Sequence, residues 1–183
     1  YWNNVTKKNT WSESNLNKIN LNTNFINNIG STWANKIATT TWKVGGNIFD
    51  NIGSSVPSIA YQNEIVNPSE NTTYDAKIGL MYVSDYGFAA SPSAWTTTLY
   101  NYDGNDAKGT SIITINWMFM GYYDWMISRI SDDSIYASVV DLGGAVLDLD
   151  VSAYYGVRPS FNLSSSITYV SGSGSAVDPI LIN

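Results

Sequence analysis

The first 50 residues have the apolar spacing of amphipathic helices. Apolar side chains recur at helix-like steps at Leu16, Ile19, Phe25, Ile26, Ile29, Trp33 and Ile37. Many Asn residues lower helix propensity here, so the pattern predicts two short helices, broken near Asn22–Thr23 and Gly30. The VGGN run at 44–47 then ends the helical part, residues 1–50.

Residues 51–110 lack a sustained period and are rich in Asn, Ser, Gly and Pro. This composition predicts a loop-rich part. One dense apolar run, Ile78–Val83, interrupts it and ends at a turn signal. We expect this run to form a buried central strand.

Residues 111–183 contain short apolar runs separated by Gly, Asp or Ser, which predicts antiparallel strands. The Gly143–Gly144 pair indicates a hairpin turn. VLDLDV at 146–151 alternates strictly, so Asp148 and Asp150 share one face of a half-exposed strand. Helices followed by strands in 183 residues favour a single α+β domain spanning 1–183.

The composition removes several classes of function. The chain has no Cys and no His, which excludes disulfides, thiolate chemistry and the usual imidazole base or metal ligand. A net charge of -6 argues against partners that are nucleic acids or anionic membranes. The chain begins at Tyr1, without a Met or a signal peptide, so we expect a piece of a longer protein whose membrane segment lies upstream.

Several motifs, taken in order, resemble a known family. They are WSESNLNKINLNTNFINNI (11–29), KIGLMYVSDYGFAASPSAW (77–95), NWMFMGYYDWMISR (116–129), YASVVDLGGAVLDLD (136–150), YYGVRPSFNLSSSITYVSGSGS (154–175) and DPILIN (178–183). This order resembles the extracellular C-terminal domain of prepilin-type, type IV pilin-like surface proteins of low-GC Gram-positive bacteria. The resemblance implies an upstream filament or membrane helix and a location attached to the cell surface.

A wider resemblance concerns the scaffold. The Trp-rich block, the hairpin and the GVRP motif at 156–159 are similar to the C-type-lectin-like fold of formylglycine-generating-enzyme modules. It implies a small twisted antiparallel sheet with two N-terminal helices and long loops. Those enzymes use cysteines and copper, and this chain has no Cys, so the resemblance carries over the scaffold and not the activity.

Arg158 is one of only two Arg residues and lies directly before Pro159. It is a candidate ligand clamp or a structural clamp, and the structural role is the favoured interpretation, because buried charges are usually paired. The predicted acidic partners are Asp141, Asp148 and Asp150, with Asp85 more distant.

Two further motifs offer ligand chemistry. Asn101, Asp103 and Asn105 alternate in NYDGND and could direct oxygens at one Ca²⁺ ion, but no Glu ends the loop pattern, so an ordinary Asx-rich turn is the favoured interpretation. Aromatic side chains could stack on sugars or on a neighbouring subunit, with Trp95, Tyr122, Tyr123 and Tyr154 as the candidates.

A carboxylate pair is the remaining route to catalysis. Asp148 and Asp150 would stand about 7 Å apart on one strand face, within the range of inverting glycosidases. Asp132 and Asp133 form the only other close set. Alternate charges on a strand are more often ordinary solvation, so catalysis is the remotest alternative.

The sequence therefore favours a non-enzymatic extracellular domain, for filament assembly, adhesion or ligand display. Its partners would be other copies in a filament, or glycans and proteins of a host. Loops 84–110 and 121–135 are the predicted binding face, because loops on a rigid sheet commonly carry recognition. The alternative is a lectin-like carbohydrate-binding module, with or without Ca²⁺, and the remote alternative is a carboxylate-only glycoside hydrolase.

Overall fold

A computed structural model of the chain describes residues 1–103 and 112–183. It combines short helices with small antiparallel sheets, which confirms the α+β class. The described strands form three separate sheets of two, three and two strands, whereas the sequence predicts one small twisted sheet.

The N-terminal helical region follows a 3-10 turn, Trp11–Glu13. A π-helical segment, Leu16–Phe25, runs directly into α1 (Ile26–Asn28), and α2 (Gly30–Ala34) follows. The break at Gly30 is present, with a φ of 78°, but the helix continues through Asn22–Thr23. Asn22 lowers helix propensity but pairs with Ile78 instead, donating to its carbonyl at 2.9 Å and accepting from its amide at 3.0 Å.

The middle part contains more helix than its composition suggests. Its elements are α3 (Phe49–Ile52), α4 (Pro57–Tyr61) with a π-helical continuation Gln62–Val66, α5 (Val83–Phe88), 3-10 turns at Pro92–Ala94 and Leu99–Tyr102, and β2 (Thr73–Ala76), which pairs with β1 (Thr40–Lys43).

The predicted central strand at Ile78–Val83 is buried but is not a regular strand. Its backbone makes one antiparallel bridge, between Gly79 and Ser160, and α5 begins at Val83. The indole of Trp42 lies so close to Gly79 that a Cβ there would stand 2.6 Å from the ring. Side chains and loops therefore cover this segment where a neighbouring strand would otherwise pair.

The β part contains one three-stranded sheet and one two-stranded hairpin. β3 (Asp124–Arg129), β4 (Tyr136–Val140) and β5 (Val146–Asp150) form an antiparallel sheet in the order β3-β4-β5. The predicted turn at Gly143–Gly144 connects β4 to β5, and Gly144 has a φ of 98°. β6 (Tyr169–Ser171) and β7 (Leu181–Ile182) form a second hairpin. Ile112–Thr114, which lies in a predicted strand, is a 3-10 turn.

The three-stranded sheet is the central layer because both of its faces are buried. Trp125 and Ile127 of β3 point into one apolar cluster, which includes Trp2 and Trp42, whereas Met126 points into the other. The second cluster contains Ile52, Tyr86, Leu99 and Tyr102, so α3, α5 and the Leu99–Tyr102 turn cover that face. This packing fixes helices and turns against β5.

Candidate functional site

An open cavity lies where α3 and the Leu99–Tyr102 turn meet β5. We call it the acidic groove. It has a volume of about 640 Å³, and its main lining residues are Phe49, Asp50, Tyr100, Val146, Leu147 and Asp148. Two aromatic rings and aliphatic side chains thus surround two carboxyl groups.

Backbone hydrogen bonds hold the walls of the acidic groove together. The amide of Tyr100 donates to the carbonyl of Gly53 at 3.0 Å, which joins the 3-10 turn to the end of α3. The ring of Tyr100 passes close to Gly53, where a Cβ would lie 3.4 Å from the Cβ of Tyr100. The amide of Phe49 donates to Oδ1 of Asp132 at 2.9 Å, and the Phe49 ring packs edge-on against Tyr136 at 6.1 Å. The site is therefore preformed.

Asp148 is the unusual group of the acidic groove. Its β4 neighbour in register is Ser138, and one carboxyl oxygen, Oδ1, is buried without a hydrogen-bond partner. Burial raises the pKa of Asp148 to about 7, with the Ser138 hydroxyl opposing the shift and the charge of Asp132 adding to it. The carboxyl group therefore titrates near neutral pH.

Glu64 is a second buried carboxyl group, in the interior of the molecule. It accepts hydrogen bonds from the amides of Val83 and Ser84, both at 3.0 Å, and from the hydroxyl of Ser128. Burial raises the pKa of Glu64, and these hydrogen bonds oppose the shift. Glu64 therefore supplies the acceptors that the first amides of α5 need, and it is a structural residue.

The four predicted ligand-binding aromatics do not converge on one site. Tyr154 is exposed and stacks on Tyr1, with ring centroids 3.9 Å apart. Tyr122 is exposed, whereas the adjacent Tyr123 is half-buried and stacks on Tyr155 at 4.7 Å. The two tyrosines of this pair thus face opposite sides, as the strand-like alternation suggests.

Trp95 stands on a different part of the surface. Its Nε1 donates to the carbonyl of Ala90 at 2.9 Å, and its ring meets the edge of Phe88 at 5.2 Å. Phe88 also lines a second cavity of about 380 Å³, together with Asp85 and the highly exposed Trp117. Only Asp85, Phe88 and Ala89 of its lining belong to the predicted face.

The predicted calcium residues are only partly described. Asn101 lies in the Leu99–Tyr102 turn, and its amide donates to Thr98 Oγ1 at 2.9 Å. Asp103 ends that turn, and Asn105 lies outside the described residues. No group of three or more acidic residues in 1–103 and 112–183 is arranged to hold a metal ion.

Arg158 does form an ion pair, but its partner is Asp124 rather than Asp141, Asp148 or Asp150. Its Nε lies 2.9 Å from Oδ2 of Asp124, at an angle that does not make a directed hydrogen bond. Its Nη1 donates to the carbonyl of Met118. Burial raises the pKa of Asp124 and the neighbouring guanidinium opposes this shift.

The three predicted partners have other roles. Asp141 accepts from the amides of Gly143 and Ala145 and so stabilises the hairpin turn, at 2.8 and 2.9 Å. Asp150 accepts from the amide and hydroxyl of Ser152, which lowers the pKa of Asp150. The partner predicted for Arg158 was wrong because of the strand topology. The backbone at Gly156, two residues before Arg158, pairs with Asp124 on β3 and not with the β4–β5 hairpin.

The two carboxyl groups of the hydrolase hypothesis, those of Asp148 and Asp150, lie in different environments. Asp148 lines the acidic groove, whereas Asp150 is exposed at the end of β5 and is not part of the lining. The second carboxyl group of the groove is Asp50 on α3, which lies outside every sequence motif. Phe49 and Tyr100 were missed too, because the groove joins segments that are distant in the chain.

Comparison with known proteins gives no relative: no family model, no curated protein and no solved structure matches this chain. In the part of the chain that the structure describes, no helix has the length and apolar character needed to cross a membrane.

Proposed function

We propose that this chain is a non-enzymatic binding domain of an extracellular, surface-attached or pilin-like protein, and that the acidic groove is its recognition site. The observation that carries the proposal is the preformed groove itself. Exposed rings stand beside a carboxyl group, that of Asp148, which forms no ion pair with another described residue. Such a combination of apolar wall and few polar groups is typical of ligand sites.

The surface role rests on the sequence resemblance and is compatible with the fold. The C-type-lectin-like scaffold belongs to this proposal, supported by an N-terminal helical region ahead of small antiparallel sheets and long loops. Surface proteolysis of intact source bacteria tests the location. We expect the domain to be cleaved while the cells remain sealed, and a fully protected domain would contradict the extracellular assignment.

A second candidate function is a lectin-like module that binds carbohydrate in the same groove. The observation that favours it is the pair of exposed rings, Phe49 and Tyr100, on which a sugar could stack. Recognition without calcium would then be expected, because the described acidic residues do not cluster as metal ligands.

One screen tests both candidates. The ¹⁵N-labelled domain is titrated with a panel of methyl glycosides, oligosaccharides and short peptides, and amide shifts are followed by NMR. We expect a ligand to shift the amides of 49–54, 98–101 and 146–149 and to be recovered chemically unchanged. Conversion of a glycoside, abolished by Asp148→Asn, would contradict the non-enzymatic assignment and support the hydrolase.

A further inference from the structure

Among residues 1–103 and 112–183, the negative charge of the acidic groove has no ion-pair partner. Asp50 and Asp148 are the charged residues in its described lining, and neither forms an ion pair with another described residue. The two ion pairs of the described residues lie elsewhere, between Arg129 and Glu70 and between Arg158 and Asp124. A ligand that brings a positive charge would complement this site.

The position of Asp148 strengthens this argument. Partial burial removes hydration from the Asp148 carboxylate, and the Ser138 hydroxyl compensates only part of that loss, which costs free energy. Neutralisation by a proton at Asp148 is one remedy, and a bound cation is the other. The nearby Asp132, which accepts from the amide of Phe49, adds a third negative charge behind the wall.

The aromatic walls of the acidic groove favour an organic cation over a metal ion. Phe49 and Tyr100 expose about half of their surface, 49% and 57%, so their ring faces are open to an ammonium group. Val146 is fully buried and Leu147 packs against the other apolar cluster, so the two rings supply the apolar wall that is open to a ligand. An apolar stem ending in an ammonium group matches both features, whereas a bare metal ion would match only the carboxyl groups.

A neutral sugar fits less well, because the serine and threonine hydroxyl groups of the groove, those of Ser54 and Thr98, are already engaged. Ser54 Oγ donates to the carbonyl of Asp50 at 2.6 Å, and Thr98 Oγ1 accepts from Asn101 at 2.9 Å. A sugar would bury polar groups against aliphatic side chains with few partners left, which is costly.

We propose that the acidic groove receives a lysine side chain from a partner protein, with its methylene stem along the rings of Phe49 and Tyr100 and its ammonium group between these rings and Asp148. This inference rests on the proposed function, since it names the ligand chemistry of the same site. The net charge of -6 favours such a basic partner over an acidic one.

The test is an NMR titration of the domain with Nα-acetyl-lysine methylamide. The matched control is the norleucine analogue, which keeps the stem and lacks the charge. We expect the lysine probe to shift groove amides with a dissociation constant on the order of 1–10 mM. The norleucine analogue and the Asp148→Asn variant should each weaken binding by about tenfold.

Two further variants make the result specific. Asp150→Asn removes a charge from the same strand outside the groove and should leave the affinity within twofold. Tyr100→Leu should weaken lysine binding even if Asp148→Asn disturbs the fold. Equal binding of lysine and norleucine, or unchanged binding to Asp148→Asn, would overturn the inference.

The outcomes also separate this inference from the proposed function. Binding of a methyl glycoside in the groove, without lysine binding, overturns the lysine assignment and leaves a lectin-like recognition site. Absence of any ligand in the groove overturns both. Lysine-dependent dimerisation of the domain would identify the partner as a second copy and would support the inference.

Discussion

Glu64 and Asp148 both lack a basic partner among the described residues, but Glu64 is buried, Asp148 is half-buried, and their surroundings differ. Glu64 accepts three hydrogen bonds, two of them from the first amides of α5. Asp148 has an oxygen without any donor and stands at the wall of an open groove. Burial raises the pKa of both groups.

The difference teaches that burial alone does not mark a functional carboxyl group. Glu64 joins the π-helical segment Gln62–Val66 to α5 and β3, because its hydrogen-bond donors are Val83, Ser84 and Ser128. Its carboxyl group therefore stabilises the fold. Asp124 is similar, because Arg158 supplies its cation from within the chain. Asp148 differs from both because it lines the acidic groove, where our proposal assigns it a cationic ligand.

The strongest challenge to this comparison is the replacement Glu64→Ala. We expect a loss of about 3–5 kcal/mol in the free energy of unfolding, because two helix amides and the Ser128 hydroxyl lose their acceptor inside the core. Urea denaturation followed by Trp fluorescence measures it. Glu64→Gln keeps the shape and one acceptor oxygen, and should cost less. A neutral effect of Glu64→Ala would remove the structural assignment.

Arg158→Ala tests the carboxyl group that has an internal cation. Asp124 would then be left buried and uncompensated, and the carbonyl of Met118 would lose its donor. We expect destabilisation by about 2–3 kcal/mol, less than for a fully buried pair because Arg158 is partly exposed. The double variant Arg158→Ala/Asp124→Asn should recover part of that loss. No recovery would show that Arg158 acts by packing and not by charge.

Asp148→Asn should stabilise the protein near neutral pH and above, whereas Glu64→Ala and Arg158→Ala destabilise it. The pKa of Asp148 rises to about 7 from 3.8, so the folded protein keeps a proton that the unfolded chain releases. Stability is therefore lost as pH rises from about 4 to 7, and the cost is complete above 7. Without this charge, the variant should be more stable by about 2 kcal/mol at pH 8 and nearly equal at pH 4.

Urea unfolding of the wild type and Asp148→Asn across pH 4–8 measures this difference. The matched control is Asp150→Asn, because the pKa of Asp150 is lowered and its charge is favourable in the folded state. That variant should not be stabilised at pH 8. A pH-independent difference for Asp148→Asn would mean that the protein itself compensates the charge, and the contrast with Glu64 would disappear.

The sequence was sufficient for features encoded by neighbouring residues. The Gly143–Gly144 turn and the flanking strands β4 and β5 follow from local alternation and are confirmed. The ion pair of Arg158 was predictable from the cost of burying its charge, but its partner was not. That choice depends on which strand the GVRP segment lies beside, and this is β3.

The acidic groove could not be predicted, because its three walls are about 50 residues apart in the chain. Strict alternation in β5 indicated that Asp148 and Asp150 would share one solvated face. α3 and the Leu99–Tyr102 turn cover that strand unevenly, so Asp148 is half-buried while Asp150 stays exposed. The environment of a strand residue thus depends on packing by distant helices, which the alternation of the strand does not encode.

The smallest expected effect concerns the rings, and it separates two reasons why lysine would bind. If the ring face of Tyr100 contacts the ammonium group, Tyr100→Leu should weaken the lysine probe by about two- to fivefold, as expected for an exposed cation–π contact. Tyr100→Phe keeps the ring, loses only the hydroxyl, and should remain within twofold of the wild type. NMR titrations of both variants measure the difference. If Tyr100→Leu binds as tightly as Tyr100→Phe, then apolar area and the charge of Asp148 suffice, and the rings do not distinguish this groove from any other acidic cleft.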